Sequence, residues 1–350
     1  MHADSAGFYQ DVVAPHHPPV LLDFHTHVWS AATLRGTAAG ETQKNKGGTY
    51  MVTTDEYPVE RLLADAGAAF PGREYRAVTF GNPGPTADHD KDTAFVAAAA
   101  RHRGIYPLMV AGAELGIPAG ELRHAIEEQG FLGYKVFLNW LGDDYGNKAV
   151  EDMLSANEMD LAEEMRLVVL LHVPRAGRLV DRDVQRGVRW LAERWPHARI
   201  VLAHCGRCYL PAEMEKAAGF LRDLPSVFLD TSMVMDEVVL QIVFDAIGPG
   251  RVLFGTDYPV AAMKGRRVRV QDHWVDIVQG EYPPSAYRVR AEGIRSTFMA
   301  VEIALAVIGA ARRVGLSAKD LHGVFHDNGM ALLEDVRGGA ARARIEAGWR

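Results

Sequence analysis

Eight short apolar runs, each separated from the next by a stretch of helical periodicity, govern what this chain can fold into. They span Val20 to His27, Tyr75 to Phe80, Ile105 to Ala111, Gly133 to Asn139, Leu167 to Val173, Arg199 to His204, Val227 to Thr231 and Val252 to Asp257. The runs are mostly apolar throughout rather than alternating, which marks parallel strands buried on both faces. Between them, Val59 to Ala69 places Leu62, Leu63, Ala66 and Phe70 on one face, and Pro118 to Gln129 opens with proline and closes at Gly130. Asp92 to Arg103, Asp181 to Trp195, Pro211 to Leu221 and Asp236 to Ile247 continue the series. The alternation predicts an α/β protein, and eight repeats predict a closed (β/α)8 TIM barrel with loop insertions at its C-terminal face. An open doubly wound sheet competes, but no Gly-x-Gly-x-x-Gly follows the first run.

The 350 residues suit one such barrel, typically roughly 250 residues and longer with insertions. Residues 1–19 read as an N-terminal leader and 20–350 as a single domain. Residues 30–53 and 258–284 read as long loops over the barrel mouth, Ser285 to Val314 as a long helix and Ala318 to Val336 as a closing one. A net charge of -7, with no basic stripe, argues against nucleic acid or an anionic membrane as partner. Arg266-Arg267-Val268-Arg269, the one tight basic cluster, reads as a solvated loop or an anion clamp. No run approaches about 18 apolar residues, and Met1-His2-Ala3-Asp4 lacks the character of a secretory signal, so the expectation is a cytoplasmic protein. Cys205 and Cys208 are too close to staple a fold and form only half of a zinc knuckle.

Polar residues end several of the apolar runs. His25 and His27 end the first and share a face with Asp23, since strand side chains alternate with period two. Two imidazoles so placed make a half-site for a divalent ion. Lys135 stands near the end of the fourth run, His172 of the fifth, His204 of the sixth and Asp257 of the eighth. Burying such groups uncompensated is costly, so they should satisfy one another through an ion.

With these residues in view, the chain resembles the amidohydrolase superfamily, in the amidohydrolase-related branch that includes aminocarboxymuconate-semialdehyde decarboxylase and several lactone hydrolases. The most specific elements are Asp23-Phe24-His25-Thr26-His27 and Phe254-Gly255-Thr256-Asp257-Tyr258-Pro259. The likeness runs from about residue 20 to 335, with Asn328-Gly329-Met330-Ala331 in place of that branch's usual Asn-Ala segment. It implies that His25, His27, His172 and Asp257 hold one divalent metal ion, usually zinc, with manganese or iron also accepted by such ligands. Three histidines and a carboxylate leave a position for water, whose pKa zinc lowers towards about 7. Asp257 would then accept the water's proton, and His204 would orient that water or polarise the scissile bond.

Lys135 has two readings. Binuclear members of the superfamily carry a carboxylated lysine on strand four that bridges two metals; otherwise it is a barrel lysine paired with Asp23 or another buried carboxylate. Trp29, Asn139, Trp140, Arg175, Arg207, Tyr209, Ser232 and Tyr258 lie just beyond strand ends, where substrate contacts belong, and Arg175 or Arg207 could clamp a substrate carboxylate. His16, His17, His89, His102, His124, His197 and His273 read as solvated.

The resemblance implies a metal-dependent hydrolase acting on a lactone, amide or cyclic ester, with a small carboxylate-bearing molecule as substrate. The alternative is non-oxidative decarboxylation of an aromatic or enoic acid; several decarboxylases of the branch replace the first histidine by glutamate, and this chain keeps His25. The branch also leaves room for a homodimer.

Overall fold

The structure is a computed structural model and describes residues 5–34, 56–84, 87–141, 144, 146–279, 287–288 and 296–348. Its parallel strands are β1 (Val20–His27), β2 (Glu74–Phe80), β3 (Ile105–Pro107), β4 (Met109–Val110), β5 (Gly133–Val136), β6 (Val168–Leu171), β7 (Arg199–Leu202), β8 (Phe228–Asp230) and β9 (Val252–Leu253). They form two arcs, β1-β2-β3 and β4-β5-β6-β7-β8-β9. β3 and β4 are two halves of one predicted strand, broken at Leu108, whose N–H turns to the Thr79 carbonyl. The far seam closes where the Phe24 and His27 N–H groups donate to the Phe254 and Tyr258 carbonyls and the Asp257 N–H donates to His25. The result is the expected (β/α)8 barrel.

The strands are buried almost from end to end, which is why they read as continuous apolar runs. The helices are α1 (Val59–Ala69), α2 (His89–Ala99), α3 (Ala119–Glu127), α4 (Ala156–Met165), α5 (Arg182–Arg194), α6 (Pro211–Arg222), α7 (Glu237–Ile247) and α8 (Met299–Val314). Asp88, Ser155, Asp181 and Asp236 each cap a helix through the side chain. Among the described residues no helix is long and apolar enough to cross a membrane.

Three local expectations are corrected. The helix expected over Ser285 to Val314 begins only at Met299, and Tyr287–Arg288 pairs as a short strand, β12. The apolar stripe that a helix needs starts at Met299, while the preceding stretch is arginine-rich without one. The predicted loop at 258–284 contains an antiparallel hairpin, β10 (Gly265–Val270) with β11 (His273–Val278). The closing helix expected over Ala318 to Val336 is α9 (Ala318–His322), a π-helical turn (Gly323–Asp327) and α10 (Asn328–Glu334). The loop expected over 30–53 lies almost wholly outside the described residues.

The leader docks on the barrel through buried Tyr9 and Val13, and Arg73 donates to the Ala14 carbonyl at 2.6 Å. His17 is also corrected, since it is buried rather than solvated. Its Nδ1 meets the Tyr9 hydroxyl at 2.9 Å and its ring packs on Phe325, Phe70 and Phe254. His89, likewise read as solvated, is partly buried and donates Nε2–H to the Val110 carbonyl at 2.7 Å.

Candidate metal centre

β1 leaves strict alternation near its end. Its register against β2 pairs Asp23 with Ala77 but Thr26 with Thr79, so one extra residue is taken up between them. Such a bulge re-aims side chains. Asp23 consequently does not join the two histidines. Its carboxylate accepts from the Tyr75 hydroxyl at 2.6 Å, the Thr256 N–H at 2.9 Å, the Thr256 hydroxyl and the His25 N–H. Burial raises its pKa to about 7 against those hydrogen bonds. Asp23 clasps β1 to the segment that carries Asp257.

The proton positions on His27 follow from its partners. Nδ1 lies 3.2 Å from the Gly81 carbonyl and Nε2 lies 3.1 Å from Asp257 Oδ1. A carbonyl only accepts, so Nδ1 carries the proton and Nε2 presents a lone pair. Burial lowers the His27 pKa to about 4, against the pull of the Asp257 carboxylate, and the ring is neutral at pH 7. A Cβ at Gly81 would stand 1.5 Å from Asp92 Oδ2, so any larger residue there would displace the Asp92 side chain.

His25 is held the same way. Its Nδ1 lies 2.8 Å from Asp230 Oδ2. Burial pushes the Asp230 carboxyl up, but His25, His204 and Lys135 outweigh it and hold the group well below the usual carboxylate range. An ionised Asp230 makes Nδ1 the donor, and Nε2 is left with its lone pair 3.4 Å from Asp257 Oδ1. Asp257 is ionised too: burial raises its pKa, while the neighbouring His27, His25 and His204 imidazoles bring it down to about 2. Two lone pairs and an anionic oxygen thus gather within 4.8 Å. The Lys135 ammonium meets one of these lone pairs, and a cation among the three atoms would satisfy all of them. Fixing each imidazole through its second nitrogen is the usual support for a metal ligand, so the residues fit a divalent ion.

His25, His204 and Asp230 also bring their ligand atoms within 4.8 Å, but hydrogen bonds already fill that space. Ser232 donates to Asp230 Oδ1, and its hydroxyl lies 3.0 Å from His25 Nδ1 and 2.8 Å from His204 Nδ1. The His204 N–H donates to Asp230 Oδ1 at 2.9 Å. This group supports the first one. Burial lowers the His204 pKa to about 3, helped by the neighbouring His25.

Of the four ligands expected, His25, His27 and Asp257 are brought together. His172 stands beside His204, with ring centroids 5.0 Å apart, and lies outside the group converging on Asp257. Its pKa is driven well below the usual imidazole value by burial and by His204, Arg207 and Lys135. Lys135 is fully buried, with Nζ 3.2 Å from His25 Nε2 and over the rings of Phe80 and Phe137 at 4.8 and 5.1 Å. Burial lowers its pKa to about 8 against the pull of Asp230 and Asp257. Its carboxylate neighbours are these two and not Asp23.

The substrate contacts fare less well. Trp29 and Tyr258 are wholly buried core side chains, Trp29 against Tyr57 and Tyr258 against Tyr75. Arg175 is tied to Asp181 and Asp183, and Arg207 donates to the Val173 and Arg175 carbonyls. Both arginines brace the rim. Asn139 is partly exposed, and the side chain of Trp140 lies outside those described. Ser232 sits inside the hydrogen-bond web, and Tyr209 stacks under Arg267, whose guanidinium is clamped by Asp276 and lies 3.9 Å from the Trp274 ring centroid. Arg267, from the basic cluster, is therefore neither solvated nor a free clamp. Cys205 and Cys208 are buried free thiols.

The mouth is also where the backbone is strained. Arg175, His204, Cys205, Arg207, Met233 and Asp257 all have left-handed φ, between 49° and 77°. Each costs about 1–2 kcal/mol in a residue with a Cβ, and all six follow strand ends.

A family model described as amidohydrolase matches residues 22–334. The chain belongs to this amidohydrolase family. None of the curated proteins matches it. Among solved structures, an amidohydrolase from Burkholderia multivorans with bound zinc is similar at 18% identity and TM-score 0.57, over 89% of this chain and 98% of that one. A 4-oxalomesaconate hydratase from Rhodopseudomonas palustris is similar at 13% and 0.54, over 94% and 97%. A probable 2-pyrone-4,6-dicarboxylic acid hydrolase from Acinetobacter baumannii is similar at 13% and 0.52, over 89% and 98%. At these identities the likeness is one of fold.

Asp230 is a member of this centre that the strand-end reading does not include. It stands in the apolar run Val227 to Thr231, and the rule that singled out the other strand ends, applied to that run, would have found it.

Proposed function

We propose that this amidohydrolase is a metal-dependent hydrolase that opens a lactone, amide or cyclic ester in a small carboxylate-bearing molecule. The observation that carries the reading is the convergence of two imidazole nitrogens on the ionised Asp257. His25, His27 and Asp257 would hold the ion, with His172 at the edge of the group as the fourth ligand. When bound, a divalent ion supplies Lewis acidity and lowers the pKa of water towards about 7.

The chain's own groups do the rest. Asp257 accepts the proton of the attacking water and returns it to the leaving group. His204 is neutral and anchored through Nδ1 to the Ser232 hydroxyl, with the Ser232 carbonyl 3.1 Å away. Its other nitrogen is then the one that orients water or polarises the scissile carbonyl. Lys135 brings an ammonium into a desolvated wall of Phe80 and Phe137, where it balances negative charge on the substrate.

That same ammonium favours a second reading, non-oxidative decarboxylation, in which Lys135 seats the departing carboxylate. Product analysis on a carboxylate-bearing lactone separates the two. A ring-opened acid with no carbon dioxide supports hydrolysis, and carbon dioxide release overturns it. Metal analysis of the protein used in the assay completes the test: full turnover in metal-free protein contradicts both readings.

A further inference from the structure

A second group of ligands lies away from the barrel mouth, at the end of α9 and on the turn that follows it. There the helix widens into a π turn: the Asn328 N–H bonds to the Gly323 carbonyl, five residues back. In an α-helix, residues four apart share a face and residues five apart do not. The wider π turn brings positions four and five along to the same side. His322, His326 and Asp327 are set at those intervals, and their ligand atoms lie within 4.8 Å of one another. Asp327 Oδ1 is 2.8 Å from His326 Nδ1 and 3.6 Å from His322 Nε2.

The three residues are not a solvated charge cluster. The His326 side chain is only 8% exposed, and its Nε2 is buried without a hydrogen-bond partner. The one hydrogen bond its imidazole makes therefore points into the group. His322 and Asp327 are 38% and 61% exposed and close the group from the solvent side. His322 also forms part of the wall of a cavity of about 410 Å³ between the leader and α8, bordered by Pro15, His16, Leu316 and Leu321, so ions reach it from solution.

We propose that His322, His326 and Asp327 form a second divalent transition-metal site, separate from the centre at the mouth. Two imidazoles and a carboxylate suit zinc, nickel or copper rather than magnesium or calcium. Three protein ligands and open positions make it an exchangeable site. The neighbouring Asn328 donates its amide to the Pro249 and Val252 carbonyls at 2.8 and 2.9 Å. An ion here consequently braces the turn that holds β9 in place, and its binding stabilises the folded chain.

The test is equilibrium dialysis of the full chain against zinc at neutral pH, wild type beside H322A/D327N. Wild type is expected to retain one equivalent more than the double variant, and its melting temperature is expected to rise further with added zinc than that of the variant. Equal zinc content in the two proteins, or an equal rise in melting temperature, overturns the proposal. The comparison is a difference between two proteins that share the mouth, so its outcome does not depend on whether the mouth binds metal. His322→Gln, a change at a partly exposed side chain, gives the same comparison if the double variant does not fold.

Discussion

Histidine is buried at both ends of this barrel, to opposite ends. At the N-terminal end His17 is surrounded by phenylalanine rings and has one polar partner, the Tyr9 hydroxyl. At the mouth His25 and His27 are equally buried, but each has one nitrogen fixed by an acceptor and the other aimed at Asp257. Burial drives the pKa of both His17 and His27 down, to about 3 and about 4. A depressed pKa therefore does not separate a packed imidazole from a ligand. What separates them is where the lone pair points, and whether it points at a negative charge.

The strongest way to break this contrast is Asp257→Asn. Removing the negative charge removes the reason for a cation, and turnover is expected to fall by at least about 10³-fold, as several kcal/mol of Lewis-acid stabilisation are lost. Metal content measured on the same protein should fall with it, while far-ultraviolet circular dichroism stays unchanged. An active, metal-replete variant would remove the distinction between the two ends.

Asp230→Asn sharpens the comparison by leaving all four proposed ligands in place. It weakens the acceptor that fixes His25 Nδ1, the His204 N–H and Ser232. Metal affinity is expected to drop about 10–100-fold, the usual cost of losing an outer partner. Competition with a chromogenic chelator measures it, and unchanged affinity would mean that the His25 tautomer is set by something else.

At the other end, His17→Ala should act on stability alone. The cavity left among Phe70, Phe254 and Phe325 is expected to cost about 2–3 kcal/mol in urea denaturation, with turnover per folded molecule unchanged. The same residue gives a pH dependence. The unfolded chain protonates His17 below about 6.5, whereas the folded one resists until about 3. Between those values the unfolded state binds the extra proton, so stability falls on acidification by up to about 1.4 kcal/mol per pH unit. His17→Phe should show a shallower decline over that window than wild type. Parallel curves would show that His17 does not set it.

These contrasts also mark how far the sequence could be read. The barrel was legible because strands buried on both faces leave unbroken apolar runs, and β1 and α1 fall on the expected residues. The ends of the runs gave His25, His27, His204 and Asp257. Asp230, one residue from the end of its run, was open to the same rule, and it is the group that sets the His25 tautomer. His17 was misread because its neighbours are His16 and Pro18, while the rings that bury it come from residues 70, 254 and 325. The rim arginines looked like carboxylate clamps until Asp181, Asp183 and the loop carbonyls were seen to hold them. Local pattern carries the fold and the ligands at strand ends; partners distant in sequence decide which imidazole packs, which one ligates and which cation is already taken.

The central claim is that a cation belongs between His25 Nε2, His27 Nε2 and Asp257 Oδ1. An anomalous difference map from crystals of the zinc-loaded protein, with data on both sides of the zinc edge, tests it most directly. The account expects a peak within bonding distance of all three atoms, with His172 drawn in from beside His204. A map with no peak there, and the Lys135 ammonium still on His25, would contradict it.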